Sequence, residues 1–230
     1  MDILDFIFPK RCVLCKKQGS YLCENCFVKL SFDAKPLCLI CNKPTFNNLT
    51  HPICKSKNSI DGCFSALSYN KAAKTLIYNF KYKPYLTDLK TVLTDLFIES
   101  IVQNESFNKE LEKGEWLLVP IPLFPTKLKK RGYNQSEILA NELGKKLNLR
   151  VQNLLKRVKD TKTQVGRSSI DRKLNIKGAF AMKNGQLKID NKFIFLVDDV
   201  VTTGSTLAEA AKVLKKSGAK RVIGLTLARD

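Results

Sequence analysis

The chain has 230 residues, 44% of them hydrophobic, which is room for one α/β domain of about 150–200 residues and a small appendage. No apolar run approaches the roughly 18 residues that a membrane span needs, so the composition argues against a transmembrane segment. Lys and Arg number 40 against 21 Asp and Glu, a net charge of +19; beyond a lysine bias for solubility, such an excess attracts polyanions, pyrophosphate and nucleic acid among them.

The first segment, Met1 to Phe8, carries two acids, no basic leader and no small-residue cleavage site. It reads as a poor signal peptide, so residues 3–8 are expected to pack on the body and the chain to reside in the cytoplasm. A cysteine-rich head follows, with seven of the eight cysteines in the first 54 residues. The spacing is Cys12-x2-Cys15-x7-Cys23-x2-Cys26, then Cys38-x2-Cys41-x9-His51-x2-Cys54. Paired x2 turns let two sulfurs face one tetrahedral ion, so each half reads as a zinc ribbon: four cysteines in the first, three cysteines and His51 in the second. Lys57 stands where a further cysteine could have stood, so the expectation is one or two structural zinc ions, the second site being either filled or degenerate. Disulfides do not suit a cytosolic chain, and a redox centre calls for one such turn, not three in tandem. With four protein ligands and no open position the sites are structural. The head has few large apolar residues, so metal binding would supply much of its folding energy. Residues 1–60 are therefore expected to form a small zinc-ribbon domain and residues 61–230 the main domain.

Gly62 to Tyr69 reads as a strand, with Cys63 a core residue. Helical spacing of Ala72, Leu76, Ile77 and Phe80 predicts a helix over 71–83, and Leu86 to Ile101 predicts a second over 85–103. A strand from Trp116 is stopped by Pro120-Ile121-Pro122. The stretch from Pro122 to Tyr133 reads as a loop bearing Lys127, Lys129, Lys130 and Arg131. Asn134-x-x-Glu137 predicts a capping box for a helix over 135–148. Residues 127–177 hold fifteen basic and four acidic side chains, a surplus of eleven. Within them, 156–175 is a long basic loop that can close over a site, bringing Arg157, Lys159, Lys162, Arg167 and Arg172. Asn184-Gly185 marks a hairpin turn. A strand over 192–197, a helix over 205–217 and a strand over 220–227 complete a βαβ unit, and the alternation implies a mostly parallel sheet with helices on both faces.

The stretch Phe195 to Thr206 concentrates the chemistry. A buried strand delivers Asp198 and Asp199 to its carboxyl end, where open α/β sheets bind ligands. Thr202, Thr203, Gly204, Ser205 and Thr206 then offer hydroxyls, backbone N–H groups and a helix N-terminus, a seat for a phosphate dianion. The acids can take ribose hydroxyls or hold magnesium. A plain helix cap explains one such residue, not this density, so the expected ligand is a sugar phosphate.

This loop resembles the phosphoribosyl pyrophosphate loop of type I phosphoribosyltransferases. The resemblance implies that fold, magnesium as cofactor and phosphoribosyl pyrophosphate as ligand or substrate, with Lys129 and Arg131 on the pyrophosphate. Val119-Pro120-Ile121-Pro122-Leu123, Lys130-Arg131-Gly132-Tyr133-Asn134-Gln135, Thr161-x-x-Gln164, Arg172-x-x-Asn175, Gly178-Ala179-Phe180 and the double cysteine head together resemble the ComF family. That resemblance spans the chain and implies a cytoplasmic factor of natural transformation, with single-stranded DNA and other DNA-uptake proteins as partners. Cations beside aromatics suit a single strand, so Lys81, Tyr82, Lys83, Lys130, Arg131, Tyr133, Arg157 and Arg172 are expected at the nucleic acid. The other reading is an active phosphoribosyltransferase whose acceptor the sequence does not name.

Overall fold

In this computed structural model the structure describes residues 9–82, 88–161, 175–183 and 189–230. The strands in chain order are β1 (Gly62–Ser68), β2 (Trp116–Pro120), β3 (Arg150–Val151), β4 (Leu155–Arg157), β5 (Phe180–Met182), β6 (Phe193–Val201) and β7 (Arg221–Arg229). Five of them make one sheet in the order β1-β7-β6-β2-β3, every neighbouring pair parallel. Parallel strands buried on both faces need near-continuous apolar sequence, which Trp116 to Val119 and Phe193 to Val197 supply.

The helices are α1 (Glu24–Phe27), α2 (Lys71–Tyr82), α3 (Leu89–Val102), α4 (Glu105–Leu111), α5 (Pro125–Arg131), α6 (Gln135–Leu147) and α7 (Ser205–Lys216). Alternate side chains of β6 divide between two cores. Phe195 and Val197 join Leu76 of α2, Leu93 and Phe97 of α3, Phe107 of α4 and Leu139 of α6. Ile194 and Leu196 join Leu207 and Leu214 of α7 on the opposite face, with Cys63 and the head residue Leu39. Helices thus cover both faces, as expected, and Cys63 is core. No helix among the described residues is long and apolar enough to cross a membrane.

Several local expectations need correction. The stretch after Pro122 is not all loop: α5 forms within it, opened by Pro125 in its first turn and closed by Gly132 at φ 84°, the usual punctuation of a short helix. Sequence periodicity missed α4, whose Asn104 side chain caps it by accepting from the Phe107 N–H. The capping box at α6 is half made. Asn134 accepts from the Ser136 N–H at 3.2 Å, while Glu137 takes the Asn153 amide at 2.6 Å instead. Strand β6 runs on to Val201, because β7 pairs with it as far as Arg229, so the two acids lie inside the strand and not beyond its end. Part of the expected 156–175 loop is strand: β4 pairs antiparallel with β5. Residues 162–174, Asn184-Gly185, residues 85–87 and Met1 to Phe8 lie outside the described residues.

Candidate functional site

Because β2 and β6 are adjacent and parallel, the segments that follow them emerge at one edge of the sheet. Asp198 and Asp199 lie close to that edge, within the last four residues of β6. Asp198 Oδ1 accepts from the Ser136 hydroxyl at 2.9 Å and from the Asp199 N–H at 2.9 Å. Asp199 is 4% exposed and its Oδ1 lies 2.7 Å from Lys81 Nζ, which reaches in from the last turn of α2. Burial and the neighbouring Asp199 charge push Asp198 up to about 7, against the pull of Lys81 and two hydrogen bonds. Lys81 itself is disfavoured by burial, yet the Asp199 carboxylate outweighs that and pushes it up. Near neutrality Asp198 is therefore partly protonated, with one ammonium already held at Asp199.

The chain after β6 turns through Thr202, Thr203 and Gly204 into α7. Gly204 holds φ +71°, and a Cβ there would lie 2.7 Å from Leu39 Cδ2. A knuckle of the head thus seats directly on this turn. Gly204 brings no capping side chain to the twelve-residue α7, and the Thr203 and Ser205 hydroxyls stand 2.9 Å apart beside its N-terminus. Donors in that arrangement fit a phosphate.

Cations complete the site. Lys127 of α5 donates to the Thr161 carbonyl at 2.5 Å and lies 3.7 Å from Asp160. Burial and the charges of Arg157 and Arg131 push its ammonium down, against Asp160. Arg157 donates to the Thr161 hydroxyl and stacks on Phe180 at 5.4 Å. Burial lowers it too, while Asp198 and Asp160 hold it up. Among the described residues two buried side-chain atoms lack a hydrogen-bond partner, Asp199 Oδ2 and Arg157 Nε. One is an acceptor and the other a donor, and both belong to this cluster. A buried polar atom without a partner costs about 1–3 kcal/mol, so a ligand with hydroxyls and anionic oxygens fits the pair. Asp198 and Asp199 suit magnesium or ribose hydroxyls by donor type, hard oxygens in both cases.

The residues expected at a nucleic acid divide. Lys81 is turned inward to Asp199, and Arg157 is engaged with Thr161 and Phe180 while feeling the Asp198 charge. Tyr133 is half-buried, its hydroxyl donating to the Phe80 carbonyl. Arg131 donates to Gln135 and lies over the Tyr82 ring, its guanidinium 5.1 Å from the centroid. Lys129 and Lys130 are exposed on α5, and Lys127 of that helix shares Thr161 with Arg157. Lys83 and Arg172 lie outside the described residues. Sequence reading missed Ser136 as a partner of Asp198, Lys81 as a partner of Asp199 and Leu39 against Gly204. Only Ser136 had a signal, its place in the first turn after the cap Asn134.

In the head, both expected ligand sets converge. Cys12, Cys15, Cys23 and Cys26 form one group and Cys38, Cys41, His51 and Cys54 another, with ligand atoms within 4.8 Å of one another. A tetrahedral zinc site with 2.3 Å bonds needs about 3.8 Å between ligands, so both sets fit the ion. The knuckles repeat: the Lys16 N–H donates to the Cys12 carbonyl and the Asn42 N–H to the Cys38 carbonyl, each at 2.8 Å. Lys16 and Asn42 both take positive φ, 68° and 57°. His51 donates through Nε2 to the Pro44 carbonyl at 2.9 Å, leaving Nδ1 to face Cys41 at 3.3 Å, the orientation a zinc-bound imidazole needs. Burial works against ionisation of Cys12, but the backbone groups around it win and bring its thiol down to about 6. Burial and the other thiols push Cys26 up to about 12.

Two family models match separate parts of the chain. Residues 3–57 match the double zinc ribbon domain family and residues 128–230 the phosphoribosyl transferase domain family. Competence protein F of Haemophilus influenzae is 31% identical over 96% of this chain and 98% of its own length. Competence protein ComFC of Bacillus subtilis is 27% identical over 96% of this chain and 89% of its own. DNA utilization protein YhgH of Escherichia coli K12 is 38% identical over 46% of this chain and 45% of its own. With a near full-length match at this identity, a double ribbon ahead of a parallel sheet and an acid pair beside a phosphate-type turn, the chain belongs to the competence protein F (ComF) family.

Proposed function

We propose that the protein is a cytoplasmic factor of natural transformation that binds incoming single-stranded DNA and carries a regulatory or binding site for phosphoribosyl pyrophosphate with magnesium. Residues 1–60 serve as the metal-stabilised head and residues 61–230 as the ligand-binding body. The observation that carries the ligand is the orphaned pair, Asp199 Oδ2 and Arg157 Nε. In this reading Asp198 and Asp199 take the ribose hydroxyls or the metal. Thr202, Thr203, Gly204, Ser205 and Thr206 take the 5′-phosphate, and Lys127, Arg157, Arg131 and Lys129 take the pyrophosphate. Bound magnesium would neutralise pyrophosphate oxygens. The DNA assignment draws on the basic surface and on the names of the relatives, competence protein and DNA utilization protein.

Calorimetric titration with phosphoribosyl pyrophosphate and magnesium tests the ligand. Wild type should bind and the double substitution Asp198→Asn/Asp199→Asn should not; equal binding by both sinks the assignment. The same titration with an oligonucleotide, with and without the sugar phosphate, tests whether the two ligands are linked. A second reading, an active phosphoribosyltransferase, is favoured by one observation. Asp198 is held to about 7, where a carboxyl can exchange protons at neutral pH. Release of pyrophosphate with any base or other acceptor would decide for it.

A further inference from the structure

Helix α2 spans Lys71 to Tyr82, and its buried side is accounted for by Ala72, Ala73, Leu76, Ile77 and Phe80. Its exposed positions are Lys71, Lys74, Tyr78 and Tyr82. Steps of three, four and four residues put these four on one stripe, about 16 Å long at 1.5 Å per residue. An ordinary solvated helix face mixes acids and bases, yet α2 contains no acidic residue. Large tyrosines in open water gain little, and here they are 57% and 53% exposed. Their rings lie 4.9 Å apart, and the Arg131 guanidinium covers the outer end of the stripe at Tyr82. At its inner end a cleft of about 410 Å³ between the helix and the first ribbon is lined by Lys29 and Lys71.

We infer that this face is a track for single-stranded nucleic acid, with bases stacking on Tyr78 and Tyr82 and phosphates held by Lys71, Lys74 and Lys29. The inference rests on the single-strand reading above and adds to it a place and a polarity of contacts. Exposed rings interleaved with cations are what an unpaired strand needs: every base has a π-face, and every linkage a negative charge. A protein partner would have to bring acids and an apolar ridge together, and the exposed Lys71 and Lys74 with no acid on the helix favour the uniform anion. The same helix places Lys81 on Asp199, so the track begins beside the sugar-phosphate site.

Fluorescence anisotropy on the full chain separates the outcomes, using a labelled oligothymidylate and an abasic oligomer of equal length. Tyr78→Ala and Tyr82→Ala should each weaken binding of the base-bearing strand roughly ten-fold or more, and leave the abasic strand unaffected. Tyr78→Phe, which keeps the ring, should bind as wild type. Lys71→Gln and Lys74→Gln should weaken both oligomers and flatten the salt dependence by about 0.7 per lost phosphate contact. Phosphoribosyl pyrophosphate affinity of Tyr78→Ala should match wild type, which marks the variant as folded. If wild type binds the strand and both Tyr→Ala variants bind it equally well, the track is overturned while the single-strand reading stands. If wild type binds no strand at all, both fall, and the face belongs to some other partner.

Discussion

The cysteine head and the acid-pair site are both polar clusters, but they are assembled in opposite ways. Each ribbon draws its four ligands from a stretch of fewer than twenty residues, Cys12 to Cys26 and Cys38 to Cys54. The acid pair instead collects Lys81, Ser136 and Arg157 from three separate elements, one of them more than a hundred residues away. A local cluster is specified by spacing and held by its ion; a distributed one exists only while the sheet is intact. The two regions are also not independent, since Leu39 of the second ribbon packs against Gly204 beside the acids, and Arg229 donates to the Lys35 and Leu37 carbonyls at 3.3 and 3.2 Å.

Metal removal should have the largest effect and tests the head alone. Structural zinc carries apparent binding free energies of about 10–16 kcal/mol, so Cys12→Ser and Cys38→Ser should each lose one of two zinc equivalents by metal analysis. Thermal melts should then show that losing the second site, next to Leu39, lowers the stability of the body more than losing the first. Equal effects would break the asymmetry.

Within the body, Asp199→Ala leaves Lys81 largely buried without its partner, and should cost about 3–5 kcal/mol by denaturant unfolding. Lys81→Met should cost less if Asp199 then takes up a proton or a divalent ion, and adding magnesium should recover stability in that variant alone.

Leu39→Ala probes the join. Its side chain is buried against Gly204 and the α7 core, so a cost of about 2–4 kcal/mol is expected. The sugar phosphate should bind more weakly while zinc content stays at two. Unchanged ligand affinity would mean that the head only sits on the turn and does not shape it.

A further effect is one of pH. Asp198 is held near 7 in the folded chain and ionises close to 3.8 when unfolded. Over that window the folded state retains a proton that the unfolded state has released, so stability of the ligand-free chain falls as pH rises from about 4 to 7. Asp198→Asn should flatten this part of the profile, measured as midpoint against pH, and should abolish ligand binding.

The same contrast explains what could be read before the fold was known. Both ligand sets were legible because x2 spacing is a geometric statement about one turn of chain. The order of strands and helices was legible from apolar runs and helical spacing, since burial on both sheet faces leaves that imprint. Helix α5 was missed although Pro125 and Gly132 bracket it, because its exposed basic face has no apolar period. Asp198 and Asp199 stood out, but Lys81 looked like any other lysine beside an aromatic. Helical spacing sends Phe80 to the core, but nothing in Lys81-Tyr82 tells that the lysine reaches back to Asp199; that depends on where β6 ends.

Strand β7 lies between β1 and β6, and its pairing is the contact that ties β1 into the sheet. On a ribosome adding about 5–20 residues per second, the interval between emergence of Gly62 and of Arg221 is roughly ten to thirty seconds. For that time β1 is an apolar ribbon with open edges, a template for wrong pairing. Synthesis delivers the head first, and its Leu49 bridges to Gly62 while Leu30 and Val13 pack in the same core as Phe64. A folded head can thus cover the nascent strand until β7 arrives, and if metal holds that head together, withholding zinc during translation should lower the yield of folded chain.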